Sequence, residues 1–107
     1  EDHAVVGMPA SPGSYTGPVR IIRNVGDFAK IQEGDVLVAP VTAPAWTPLF
    51  RRASAVVTDS GSLFAHASLI AREYGLPAVV GTGNATTTLR DGMVVTVDGS
   101  RGVVDVA

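Results

Sequence analysis

The chain has no cysteine among its 107 residues, so neither a disulfide framework nor a thiolate zinc site can hold it together. Aromatic residues are sparse, one Trp, two Tyr and three Phe, and the 46% hydrophobic content is carried mainly by Val, Ala, Ile and Leu. Histidine is scarcer still: His3 and His66 lie far apart, and neither has a partner at metal-ligand spacing, so no metal is expected in this chain. Eight Lys and Arg against ten Asp and Glu give a net charge of −2, without the basic surplus that a nucleic-acid partner demands. No apolar run approaches the ~20 residues of a membrane-spanning helix, and the N-terminus lacks the basic-then-apolar layout of a signal peptide. These absences lead to the expectation of one soluble, cytoplasmic domain over residues 1–107, with no nucleic-acid and no membrane partner. That length can bury a single core but is small for a complete two-substrate enzyme. Opening on Glu1-Asp2-His3 without a methionine, it reads as a module of something longer.

What is present suits a small α/β fold. Val5 to Ala10 is a short apolar strand candidate, Ser11-Pro12-Gly13 a turn, Ser14 to Gly17 a flexible patch and Pro18 to Ile22 a second extended run, the pair resembling a hairpin or a sharp strand exchange. Asp27 to Ile31 has the composition of one helical turn with Asp27 as cap. Val36 to Ala39 is apolar without alternation, as in a strand covered on both faces. A proline-punctuated loop follows, and Thr47 to Ala53 would make a short helix with Thr47 as cap and Pro48 at its first position. Near the end, Asn84 should cap a turn running to Leu89, and Met93 to Val97 and Gly102 to Val106 should pair as an antiparallel hairpin.

The most informative stretch is Thr58 to Val80. Ser54 to Thr58 is a β-branched run of strand type, and the small polar residues Asp59 to Ser62 break it. A helix should then begin, with Ala67, Ile70, Ala71 and Tyr74 on one stripe at ~100° per residue. Gly75 closes it, Pro77 forbids its continuation, and Ala78 to Val80 is the next strand. His66 falls in the first helical turn, about a quarter turn off the apolar stripe. That turn leaves backbone N–H groups unpaired and carries partial positive charge, which welcomes anions and disfavours an imidazolium. A neutral imidazole there has a free ring nitrogen able to attack a phosphoryl group, and the anionic product would sit on the same N–H groups. Gly61 would let the loop backbone approach those oxygens. By position alone, His66 could equally be a packed, hydrogen-bonded residue. His3 reads as part of a mobile terminus, Trp46 as a packing anchor, and Arg51, Arg52, Arg72 and Glu73 as surface charges; Glu73 is ~10 Å along the helix from His66, too far for direct proton exchange. Leu63 and Phe64 fit either core or a contact surface.

Thr58, Gly61, His66, Ala67, Ala71, Arg72, Gly75, Pro77, Ala78 and Val79 together resemble the signature of the phosphohistidine, or swivelling, domain of phosphoenolpyruvate-utilising enzymes. That family includes phosphoenolpyruvate synthase, pyruvate phosphate dikinase, enzyme I of the sugar phosphotransferase system and rifampicin phosphotransferase. Gly7, Ala10, Ser11, Pro12, Gly13, Gly17 and Pro18 resemble the start of the same domain. Thr42, Pro44, Trp46, Thr47 and Pro48 resemble a segment of its synthase-like and rifampicin phosphotransferase-like members. Two positions depart: Ser62 stands where the family has a second glycine, and Phe64 where dikinases switched by a regulatory protein carry a threonine, which removes that mode of regulation.

The resemblance implies a swivelling β/β/α fold, a mixed sheet with helices packed on it. It implies that His66 is the phosphorylated residue, with Gly61, Ser62 and the Thr42 hydroxyl cradling the phosphoryl group, although a Thr42 bonded only to its own backbone is an equal reading. It also implies a transferase that is inactive as an isolated domain and comes from the C-terminal part of a larger multidomain enzyme. The partners would be a nucleotide-binding domain of ATP-grasp type, which holds ATP and magnesium, and an acceptor domain for pyruvate or a small hydroxyl compound. No cofactor is expected on this domain itself. A stand-alone phosphocarrier and a non-catalytic swivelling module remain as other readings of the same fold.

Overall fold

The computed structural model describes residues 3–107. Its strands are β1 (Val5–Val6), β2 (Met8–Ser11), β3 (Ser14–Ile21), β4 (Asp35–Ala39), β5 (Ala53–Thr58), β6 (Ala78–Val80), β7 (Val94–Asp98) and β8 (Val103–Val106). The α-helices are α1 (Thr47–Phe50), α2 (His66–Tyr74) and α3 (Ala85–Thr88), and 3₁₀ turns cover Val25–Lys30 and Pro44–Trp46. The strand order is β1-β8-β7-β3-β4-β5-β6-β2. Strands β3 to β6 run parallel, and the remaining pairs are antiparallel, so the sheet is mixed.

Alternation along β4 explains the layering. Leu37 and Ala39 enter one core with Phe50, Ala67 and Ala71, while Val36 and Val38 enter a second with Val95, Val97 and Val104. The first core lies under α1 and α2; the second lies between the parallel strands and the β1-β8-β7 layer, which folds back over them. Two β layers and a helical layer result, and β4 is buried throughout, as its unbroken apolar run predicts. Each valine fully buried in these cores contributes ~1.5–3 kcal/mol relative to exposure. The β7–β8 turn touches the far edge of the sheet, where Gly99 donates its amide to the Gly13 carbonyl at 2.8 Å. A Cβ at Gly99 would lie 1.9 Å from the Ser11 carbonyl oxygen, so only glycine permits this approach.

Several local expectations change. Of the two readings of the opening, the strand exchange holds and the hairpin does not: β2 pairs with β6 and β3 with β4 and β7, and Ser14 to Gly17 is the start of β3 instead of a flexible patch. The first 3₁₀ turn is capped by Asn24, whose Oδ1 accepts from the Gly26 amide; Asp27 instead accepts from the Arg23 amide. Helix α1 spans four residues, and the Thr47 hydroxyl donates backward to the Pro44 carbonyl, so it caps nothing. Asn84 makes no side-chain cap either. Thr82 Oγ1 accepts from the Ala85 amide, and Asp59 accepts from the Thr86 amide and hydroxyl at 2.9 and 2.5 Å.

Candidate functional site

The parallel arrangement of β4 and β5 brings the loops that follow them to one end of the sheet. The first carries Thr42 and Thr47, the second Gly61, Ser62 and the start of α2 at His66. The two loops meet at the imidazole: Thr42 Oγ1 lies 2.8 Å from His66 Nδ1, and Thr47 Oγ1 lies 3.2 Å from Nε2. The Phe50 ring, itself buried, stands at 90° to the imidazole with centroids 5.7 Å apart. The ring is therefore held on both nitrogens by hydroxyls and against an aromatic edge, while the residue is half-buried. Burial lowers the His66 pKa below the ordinary value of 6.5 and keeps the imidazole neutral at pH 7. Helix-start polarity, the cause expected from the sequence, points the same way.

Helix α2 starts without a side-chain cap. Among the described residues, the amides of His66, Ala67 and Ser68 have no acceptor, as the geometry of a helix start dictates. The loop ahead is braced from within. The Ser62 carbonyl accepts from the Ala65 amide and from the buried Ser68 hydroxyl at 2.6 Å, and Ser62 Oγ accepts from the Phe64 amide. Gly61 has φ +125°, a conformation that side chains resist. Ser62 is exposed, and Thr42, at 8% exposure, faces Nδ1.

Three participants were not assigned to the site by the sequence reading. Thr47, read as a helix cap, touches Nε2; it stood in the same proline-punctuated motif as Thr42, and the Pro44–Trp46 turn swings both hydroxyls toward one ring. Phe50 packs on His66 from α1. Arg72, read as a surface ion-pair former, donates Nε to the Ala10 carbonyl at 2.8 Å and a terminal nitrogen to the Leu63 carbonyl, so it ties α2 to β2 and to the loop before the histidine. Trp46 is the packing anchor expected, 5.1 Å from Phe28 in an edge-to-face contact. Phe64 is 83% exposed and Leu63 40%, which places both on the surface beside the site. A groove of about 540 Å³ elsewhere, lined by Arg23, Lys30, Thr86, Arg90 and Asp91 among others, includes none of the residues around His66.

A β/β/α domain with a mixed sheet and a histidine presented at a helix start belongs to the swivelling-domain class. Residues 31–102 match the model of the PEP-utilising enzyme mobile domain, and the chain belongs to that family. It is 57% identical over 101 residues to a phosphoenolpyruvate synthase of Aeropyrum pernix, covering 94% of this chain and 12% of that protein. To a rifampicin phosphotransferase of Bacillus cereus it is 48% identical over 103 residues, covering 96% of this chain and 12% of that protein. The chain thus spans about an eighth of the length of these curated relatives, which are multidomain phosphotransferases of which such a domain is a small part. In three dimensions it resembles the solution structure of an Enzyme I protein, with a TM-score of 0.64 and 33% identity over 74% of this chain and 33% of the other. No helix among the described residues is long and apolar enough to cross a membrane.

Proposed function

We propose that this domain is the phosphoryl carrier of a larger phosphotransferase and that His66 is its phosphorylated residue. A ring nitrogen of His66 would attack a phosphoryl group of ATP bound on a nucleotide-binding domain of the parent chain. The new N–P bond forms at the β-phosphorus as its P–O bond to AMP breaks, water then cleaves off the γ-phosphate, and a second transfer carries the β-phosphoryl group to pyruvate or a small hydroxyl compound on a further domain. Magnesium belongs with the nucleotide on the donor domain, and the overall donor chemistry converts ATP to AMP and phosphate. A carrier answers a geometric need. In-line transfer requires the nucleophile at roughly 3 Å, and one rigid site cannot meet two unrelated substrates in that geometry.

The observation that carries this reading is the neutral imidazole at the uncapped start of α2, oriented through both nitrogens by Thr42 and Thr47. The ring is positioned as a nucleophile, and the free amides of that turn suit the anion it would acquire. Gly61 and Ser62 supply the approach to the phosphoryl oxygens, and Thr42 supplies orientation. The test is to incubate the full-length parent protein with ATP labelled at the β-phosphate. Acid-labile, base-stable label should appear on His66 and vanish in His66→Ala; label retained by that variant refutes the assignment, and a wild-type parent that takes none favours a non-catalytic module.

A further inference from the structure

The two hydroxyls on His66 are not equivalent. Thr47 Oγ1 has one hydrogen, and the Pro44 carbonyl at 2.8 Å, which can only accept, takes it. What Thr47 turns toward Nε2 at 3.2 Å is therefore a lone pair, so Nε2 must bring the proton. A neutral imidazole has one ring proton, which leaves Nδ1 bare and accepting from the Thr42 hydroxyl at 2.8 Å. Thr42 Oγ1 has no second partner among the described residues and can donate to Nδ1 or accept from it. Thr47 is committed to accepting. Thr42 is also the more buried of the two.

We propose that Thr47 is a positioning residue that latches His66 in its Nε2–H form, so that Nε2 has no lone pair until Thr47 lets go. Resting on the carrier reading above, this adds a step to it. Before transfer, Nε2 gives its proton to solvent, Nδ1 takes one from solvent and donates it to Thr42 Oγ1, and the Thr47 side chain turns aside. The freed Nε2 lone pair then forms the N–P bond while the P–O bond to the leaving group breaks.

Long-range proton–nitrogen correlation spectra of the ¹⁵N-labelled chain, recorded above the His66 titration, distinguish a protonated from a bare ring nitrogen; His3→Gln identifies the His66 signals. In the wild type, Nε2 should be the protonated nitrogen. In Thr47→Val the Nε2–H to Nδ1–H ratio should fall about fivefold, the factor equivalent to one neutral hydrogen bond at ~1 kcal/mol, and Thr47→Ser should restore it. A wild-type ring protonated mainly at Nδ1, an unchanged ratio in Thr47→Val, or no recovery in Thr47→Ser overturns the latch. The measurement uses no nucleotide. Labelled His66 with an Nδ1–H resting ring would sink the latch alone, whereas unlabelled His66 with an Nε2–H ring would sink the carrier reading alone.

Discussion

Replacing Thr42 by Val removes the hydroxyl at Nδ1 while keeping a β-branched side chain of nearly the same volume. The site is 8% exposed, so water does not readily replace the lost partner. In the resting domain, the neutral hydrogen bond at 2.8 Å contributes ~1 kcal/mol net, and leaving Nδ1 without a partner costs ~1–3 kcal/mol. For a domain of this size, each kcal/mol lowers Tm by roughly 4–8 °C. During phosphoryl transfer the ring acquires positive charge, and Thr42 then accepts from a charged N–H, a bond of ~1.5–3 kcal/mol. Only the excess over the resting bond slows the reaction, about 0.5–2 kcal/mol, which corresponds to a roughly 2- to 30-fold slower transfer. Single-turnover labelling of the full-length parent by ATP gives the rate, and thermal unfolding of the 107-residue chain gives the stability. A Thr42→Val variant that loses the expected stability but takes label at the wild-type rate would refute the claim that this hydroxyl follows the ring's charge, leaving Thr42 a packing residue.

Two further predictions concern the fold. Because the folded-state pKa of His66 lies below 6.5, the unfolded chain binds the extra proton in the window between the two values, so stability falls as pH drops from about 6.5 to the folded pKa and is flat above. Denaturant unfolding across that range should show a smaller slope in His66→Gln, and an identical slope would mean that the ring is not desolvated. Gly99→Ala places a methyl 1.9 Å from the Ser11 carbonyl oxygen and 2.8 Å from the Ala78 amide nitrogen, backbone atoms that cannot step aside. It should cost about 1–3 kcal/mol or more by overpacking, read as a Tm shift, and a wild-type Tm would show that the β7–β8 turn does not press on the sheet edge.

Local rules made much of this molecule legible from its residues. The unbroken apolar run of β4 signalled burial on both faces, and both faces are buried. The spacing of Ala67, Ala71 and Tyr74, with Gly75 and Pro77 behind them, marked α2 and its end, and Gly75 closes the helix in the left-handed conformation at φ +72°. Periodicity, helix stops and strand composition act over a few residues, so they survive in a one-dimensional reading.

Partnerships across the chain needed the tertiary structure. Asp27, Thr47 and Asn84 each had the composition of a cap, but a short polar side chain can bond several neighbours, and the fold settles which. Asn24 caps the turn near Asp27, His66 sits beside Thr47, and Thr82 and Asp59 take the amides near Asn84. Locally, a hairpin and a strand exchange were equal readings of β2 and β3, and only the fold chose the exchange and its partners, because a turn residue does not encode which strand will lie beside the next one. Spacing placed His66 at a helix start, and the resemblance to the phosphohistidine domain marked it as the residue to watch. That its two nitrogens meet two different hydroxyls, one free to reverse and one committed, was decided only when the parallel strands β4 and β5 brought those hydroxyls, 24 and 19 residues upstream of the ring, to the same end of the sheet. Side-chain chemistry is local, whereas the direction of a hydrogen bond depends on every other bond its donor already makes.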